Sequence, residues 1–516
     1  MHDNDHLKVS LCASFIADPL QNYLIHWSKE FKMDVDIAIA PYNQVFQQLL
    51  DSDSLLNKNN GINILFIRVE DWLRDKKNIS PSDQIRFLNE TYETFIEAIK
   101  QSRKFSVVPI LIGIIPLSPS HTFTYQTATT LKQLNTNLYS LLKYIPSCYL
   151  LNPGKIASLY EVEEMFDSKS DEVGHIPFTQ EYYAALGTCL WRKIRSYKRP
   201  SYKVIALDCD NTLWKGVCGE DGALKVVIDQ NYAYLQEFLL EKYHEGFLLV
   251  LCSKNNESDV WEVFNRHPEM KIKQEHITAH RINWDPKPGN LAGLSKELNV
   301  GLDSFIFLDD NNFETEQVLV SCPEVLSLCL PENSTAFFSF LNHIWEFDVL
   351  QVTQEDLQRN KMYKAEKQRK EDQINYALLD EFFMSLNIIV TLYPLQEKDL
   401  DRAVQLTLRT NQFNLNGIRK TYEEIKKTIH QKNSISKIIH VQDRFGDYGN
   451  VGLLLAKKIN SEMTINTFVL SCRVLGRNVE ELVFSQFQKY CLDKGVSAII
   501  AQYHPTLKNQ PFIDFL

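Results

Sequence analysis

VIALDCDNTLW, residues 204–214, is an apolar strand ending in two aspartates two positions apart. Side chains alternate along a strand, so Asp208 and Asp210 point one way and Cys209 points the other, into the core. Carboxylates at the carboxyl end of a strand form a site for a hard cation with oxygen ligands, Mg²⁺ foremost. Open α/β sheets bind their ligands at that edge. The stretch therefore predicts a parallel-sheet fold and a place for chemistry.

Outward from it, KVIALD (203–208), FLLVLCS (247–253), HITAHRI (276–282) and SFIFLDD (304–310) read as strands separated by helical stretches. Ser253 closes the second strand, where its hydroxyl can bond a phosphoryl oxygen. Lys287, in NWDPKPGN (283–290), offers a fixed cation just before a helix. Asp309 and Asp310 end a third apolar strand and add metal-binding carboxylates. The order DxDxT, Ser, Lys, DD resembles the haloacid dehalogenase (HAD) superfamily.

That resemblance implies roles. Asp208 would be the nucleophile that becomes an aspartyl-phosphate, and Asp210 the general acid-base. Mg²⁺ would lie between the Asp208 carboxylate, the Asp210 backbone carbonyl and the Asp309/Asp310 pair. Thr212 and Ser253 would hold the phosphoryl group, with Lys287 as counter-charge. About forty residues separate Asp210 from Ser253 and about thirty separate Ser253 from Lys287. Neither interval holds a large cap domain, so the site is expected to face a protein-borne substrate or a neighbouring domain.

The flanks complete an α/β architecture of three domains. In residues 1–199, KVSLCASF, DVDIAIA, NILFIRV and SVVPILIGIIP read as strands alternating with helices, a flavodoxin- or SGNH-like arrangement. The basic joint RSYKRPSYK (195–203) places a boundary near Pro200. Residues 200–350 form the Rossmann-like, capless phosphoryl-transfer domain. Residues 351–380 read as a charged, solvated linker helix with one apolar stripe. Residues 381–516 read as α+β.

With 65 acidic against 55 basic residues, the 516-residue chain has a formal charge of −10. This argues against a nucleic-acid partner, which needs a basic stripe, but leaves room for an acidic protein on a local basic patch. The run FSVVPILIGIIP (105–116) is too short to cross a bilayer, so no membrane association is expected. Ten scattered cysteines show no metal-ligand spacing and, with no signal-peptide pattern at the start, point to the cytoplasm.

A longer resemblance rests on DCDNTLWKGVCGEDG (208–222), FIFLDDNNFE (305–314), QRNKMYKAEKQRK (358–370), FGDYGNVGLL (445–454) and LSCRVLGRNVEE (470–481). Together these are similar to the FkbH-like family, which joins a HAD domain to an N-terminal SGNH-hydrolase-like and a C-terminal acetyltransferase-like (GNAT) domain. CASFIADPL (12–20) and GHIPF (174–178) match more loosely. The resemblance implies a glyceryl transferase/phosphatase. It would dephosphorylate 1,3-bisphosphoglycerate and load the glyceryl unit onto the phosphopantetheine thiol of an acyl carrier protein, for polyketide-type biosynthesis. It also implies a phosphopantetheine cradle at Arg473, Gly476, Arg477 and Asn478, where backbone N–H groups at a helix start would meet the phosphate. Asn478 stands where the related CoA-binding motif ends in a small residue.

For the acyl-carrying thiol, Cys472 is the first choice because it precedes that cradle; its plainer reading is a buried strand-end cysteine. Cys218, in the loop after the aspartates, is the alternative, at a position where the family tolerates aliphatic residues. Cys209 and Cys252 should face the core. Thr410, Asn411 and Asn414 could line an acyl groove, although polar residues after a helix are more often caps. Ser14 and His175, with Asp171 four residues before the histidine, lack an SGNH catalytic pattern and are expected to be non-catalytic. Two other functions fit the residues: a capless phosphatase acting on a phosphorylated protein or sugar, and a non-catalytic assembly scaffold.

Overall fold

A computed structural model describes residues 6–516 apart from 77, 107, 120–122, 146, 200–201, 353, 374–375, 377–378 and 507–508. Pro200, the expected boundary, lies outside the described residues. The chain divides into two compact units, Met1–Lys198 and Arg199–Leu516.

In the first unit, strands β1 (His6–Ala13), β2 (Asp34–Ile39), β3 (Ile62–Ile67), β4 (Ile110–Ile114) and β5 (Cys148–Leu151) form a parallel sheet in the order β2-β1-β3-β4-β5. β3 and β4 are buried throughout, as expected of strands covered on both faces. At the carboxyl ends of β1 and β3, the Ser14 hydroxyl donates to Asp71 (2.7 Å) and accepts from the Arg68 backbone N–H (3.0 Å). Arg68 is fully buried and pairs with Asp171 at 2.7 Å. His175, left-handed at the end of the helix Ser168–Gly174, stacks on Tyr42. Ser14 is therefore bonded to a carboxylate rather than to His175.

The second unit opens with another parallel sheet, order β10-β9-β6-β7-β8, from β6 (Val204–Leu207), β7 (Leu248–Ser253), β8 (Ile277–Ile282), β9 (Phe305–Asp309) and β10 (Leu326–Cys329). Alternate residues feed two cores: Ile205, Leu207, Leu249 and Leu251 face one side, and Val204, Ala206, Leu248 and Val250 the other. The chain steps outward from β6 to β7 and β8, then returns to place β9 against the opposite side of β6. The crevice between β6 and β9 is thus a topological switch point, where open sheets take ligands.

A third, mixed sheet has the order β11-β13-β14-β15-β12, built from β11 (Ile389–Pro394), β12 (Phe413–Asn414), β13 (Ser434–Asp443), β14 (Gly446–Ile459) and β15 (Glu462–Leu470), with β16 (Ala498–Ala501) parallel to β15. In sequence between the two sheets come the helix Gln354–Gln373 and a second helix, Leu379–Ser385.

The expected solvated linker is corrected here, because the first helix is tied down by buried polar groups. Asn360 donates to the Tyr243 and Phe247 carbonyls (2.9 and 3.3 Å), and Arg359 bonds both Asp356 and the Gly246 carbonyl. Gly246 has φ +99°, and a Cβ there would sit 2.5 Å from the Asp356 carbonyl oxygen. At the other end Arg369 grips Asp443 through two bonds of 2.7 and 2.8 Å. Helical periodicity counts apolar residues and so misses a face that buries charge in pairs. Among the described residues, no helix is long and apolar enough to cross a membrane.

Candidate active site

β6 ends at Leu207, and the ladder continues one bond further, from the Asp208 N–H to the Leu308 carbonyl at 3.0 Å. That bond fixes Asp208 beside the end of β9. Oxygens of Asp208, Asp309 and Asp310 lie within 4.8 Å of one another. Lys287, the first residue of the helix Lys287–Leu298, reaches in from β8's side and bonds Asp208 Oδ1 at 2.7 Å and Asp309 Oδ2. Asp208, Lys287, Ser253 and Asp309 are buried, and Asp310 is half-buried. Asp208, Asp309, Asp310 and Lys287 therefore converge from two strand ends and one helix start.

The electrostatics are unbalanced. Three carboxyl groups face one ammonium in a largely buried crevice. Burial raises Asp208 above the usual carboxylate range, against the pull of Lys287 and the Ser253 hydroxyl. Burial, with the Asp208 charge, pushes Asp309 to about 6, and burial raises Asp310. Burial would lower Lys287, but Asp208 and Asp309 outweigh it and raise the ammonium instead. A divalent cation matches this donor set in charge and in its all-oxygen chemistry.

Asp210 takes no part in the three-carboxylate group. The chain turns sharply after it: Asn211 is left-handed (φ 54°), and its side chain accepts from the Gly216 N–H at 2.9 Å. Within that turn, Asp210 Oδ1 accepts from Trp214 Nε1 (2.9 Å) and the Cys218 N–H (3.0 Å). Its Oδ2 accepts from Asn255 Nδ2 (2.7 Å). Three donors therefore aim this carboxylate. Neither Trp214 nor Asn255 was picked out from the sequence, although Asn255 lies only two residues beyond Ser253. Thr212 Oγ1 makes a long 3.5 Å bond to Asp310.

Cys209 and Cys252 are fully buried in opposite cores, as alternation predicts, and burial raises both thiols. Cys218 stands inside the aspartate site, with Asn255 Nδ2 3.4 Å from its sulfur. Burial, and then the Asp210 charge, push this thiol up to about 12.

Cys472 is elsewhere. Its carbonyl accepts from Asn299 Nδ2 at 3.1 Å, and Asn299 caps the far end of the helix that begins at Lys287. Twelve residues of helix separate the two ends by about 18 Å. The first-choice thiol is thus at the opposite edge of the sheet from Asp208. The expected phosphate cradle is also altered: Asn478 is left-handed at the start of the helix Val479–Asp493, and the Gly476 N–H is already bonded to the Glu480 carboxylate at 2.9 Å. Arg477 bonds Tyr448, and Arg473 bonds Ser471 and Met362.

No family model matches the chain, and no curated protein matches it. Among solved structures, it is similar to the N-terminal part of a Bacteroides fragilis protein that contains a phosphatase domain and is complexed with Mg. The TM-score is 0.56 at 24% identity, covering 67% of this chain and 94% of that one. A tagatose-6-phosphate ketose/aldose isomerase from Escherichia coli superposes with a TM-score of only 0.17. The first likeness is one of fold.

Proposed function

We propose that the Asp208 site is a Mg²⁺-dependent phosphoryl-transfer centre of the HAD type, and that the chain is a phosphatase. One observation carries this reading: Asp208, Asp309 and Asp310 converge at a sheet switch point around the Lys287 ammonium. The Mg-complexed phosphatase domain of similar fold supports it.

Asp208 attacks phosphorus, the bond to the leaving oxygen breaks, and Asp210 supplies that oxygen's proton. Asp210 then takes a proton from the water that opens the aspartyl-phosphate. Lys287 offsets charge on Asp208 and the phosphoryl oxygens throughout. Mg²⁺, held by Asp208, Asp309 and Asp310, would supply further charge stabilisation on the phosphoryl group. Neither connection beside the site holds a cap domain: β6–β7 carries the short helix Cys218–Asp221 and the helix Gln230–His244, and β7–β8 the helix Glu257–Arg266. Trp284 and Phe313, three residues before Lys287 and after Asp310, are largely exposed. Exposed apolar side chains near the site suit a substrate carried on a larger molecule. The test is phosphate release from p-nitrophenyl phosphate by the full chain. Release that needs Mg²⁺ and is lost in Asp208→Asn supports the reading, and release unaffected by Asp208→Asn overturns it.

The finer reading is glyceryl transfer from 1,3-bisphosphoglycerate to the phosphopantetheine of an acyl carrier protein, with SGNH-like and GNAT-like flanking domains. What favours it is Cys218, whose thiol shares Asn255 with Asp210. The thiol would attack the acyl-phosphate carbonyl as its proton passes to Asp210, expelling the C1 phosphate and leaving a 3-phosphoglyceryl thioester, whose remaining phosphate ester the Asp208 site would hydrolyse. The carrier's arm must then reach the Asp208 edge of the sheet rather than Cys472. Intact mass after incubation with 1,3-bisphosphoglycerate tests this. A glyceryl adduct absent from Cys218→Val, with phosphatase turnover kept, supports the relay. An adduct on Cys472, or none, overturns it.

A further inference from the structure

The loop from β8 into the helix that starts at Lys287 carries Trp284. Of the chain's seven tryptophans it is the one that stands exposed, at 70%. Exposure alone says little, since single apolar side chains on a surface are ordinary. What sets Trp284 apart is how it is held. The Asn283 N–H donates to the Ser253 carbonyl at 3.1 Å, which fixes the loop against the end of β7. Trp284 Nε1 donates to Asn256 Oδ1 at 3.3 Å, and the Asn256 N–H donates to Asn255 Oδ1 at 2.8 Å. Asn255 Nδ2 then donates to Asp210 Oδ2 at 2.7 Å. Two asparagines and three hydrogen bonds therefore tie an exposed indole to the carboxylate that serves the leaving oxygen. The indole is anchored by its edge, and among the described residues no ring or cation packs on its faces.

In an in-line displacement, Asp208 stands on one side of phosphorus and the leaving oxygen on the other. Asp210 must reach that oxygen to protonate it, so the group the oxygen carries extends on the Asp210 side. That is where the asparagine chain places Trp284. The amides beside the indole already have their bonds. Asn256 Nδ2 donates to Asp259 at 3.1 Å, Asn283 and Asn290 exchange bonds of 2.8 and 3.3 Å, and Asn283 Oδ1 also accepts from the Asp285 N–H at 3.0 Å. A sugar's hydroxyls would find few partners among them, whereas a flat apolar ring needs only the indole face. An indole already fixed also loses little freedom when a ring stacks on it.

We propose that Trp284 is a specificity residue whose indole stacks on a planar apolar ring borne by the leaving group, so that the Asp208 site favours phosphate esters of aromatic alcohols over those of small aliphatic ones. This rests on the phosphatase reading and not on the glyceryl one. The test is the ratio of kcat/KM for phenyl phosphate to kcat/KM for methyl phosphate, measured with Mg²⁺ in the full chain. Each variant is compared with the wild type, so the inherent reactivities of the two esters cancel. The ratio is expected to fall about fivefold or more in Trp284→Ala and to be largely kept in Trp284→Phe, which retains a ring. A ratio unchanged in Trp284→Ala overturns the proposal, whatever each rate does by itself. So does a fall as large in Trp284→Phe as in Trp284→Ala, because the bond to Asn256 and not the ring face is then at work. If neither ester turns over, the phosphatase reading fails, and calorimetric binding of benzylphosphonate against ethylphosphonate decides the ring contact. A preference for the benzyl compound that is lost in Trp284→Ala sustains the contact, and equal affinities overturn it.

Discussion

Replacing Lys287 by methionine separates the charge of this side chain from its bulk. The ammonium is nearly inaccessible, 2.7 Å from Asp208, and also bonded to Asp309. Removing one partner of a buried ion pair costs about 3–5 kcal/mol, because the remaining charge is uncompensated. Here two carboxylates lose their partner, but they can relieve themselves by taking up protons. Asp309 already titrates at about 6 with the lysine present, so without it protonation begins higher still. The loss should therefore be near that range at pH 7.5 in EDTA and clearly smaller at pH 5. For a unit this large it corresponds to a fall in Tm of about 5–10 °C. Added Mg²⁺ should raise the Tm of Lys287→Met more than that of the wild type, since the ion supplies the missing positive charge. Differential scanning calorimetry of the full chain at both pH values measures each part. A Tm unchanged at pH 7.5, or a loss equally large at pH 5, would refute the view that charge balance shapes this crevice.

Three further outcomes follow from the same geometry. Asp210→Asn should lower turnover by about 10²–10⁴-fold with poor leaving groups and much less with p-nitrophenyl phosphate, whose leaving group needs no proton. Asn255→Ala removes one of the three donors that aim Asp210 and should lower kcat while sparing KM, by a barrier increase of about 1–3 kcal/mol. In the metal-free wild type, Asp309 has its carboxyl raised from 3.8 to about 6, so its contribution is fully present below pH 3.8 and falls away as pH rises through 6. The part due to this group is about 3 kcal/mol, and urea titrations with and without Mg²⁺ should show the decline flattened by the ion.

The parallel sheets were legible because each strand is a short apolar run whose two faces both enter a core, as Val204–Leu207 shows. The charged centre was legible for a related reason. Asp208 and Asp309 end buried strands, and Lys287 opens a helix, so local pattern alone puts all three at one sheet edge. Trp214 and Asn255 were not, because their roles depend on how the turn after Asp210 closes. That closure is set by the left-handed Asn211 and by bonds to backbone that no periodicity records. β5, β10 and β12 also escaped notice, being four, four and two residues long, too short to display alternation.

The choice between thiols turned on something a linear reading does not contain. Cys472 and Cys218 both follow apolar stretches within family-like motifs, and both stand near groups suited to phosphate. What separates them is which edge of the parallel sheet each meets. Cys218 is fixed by covalent nearness: it lies eight residues past Asp210 in a turn that folds back on that carboxylate. Cys472 lies in the turn just after β15 of the mixed sheet, and its place depends on how that sheet packs. The helix with Arg359 and Asn360 under Gly246 and Arg369 in Asp443 sets that packing through buried polar contacts, not an apolar stripe. Arg369→Met should consequently cost up to about 3–5 kcal/mol by removing the buried cation paired with Asp443, which keeps its bonds from Tyr448, Phe445 and Gly446. It should also accelerate Cys472 alkylation while leaving phosphate release at Asp208 intact. If Cys472 labelling stays slow while stability falls by that amount, the helix is not what holds the thiol at the far edge.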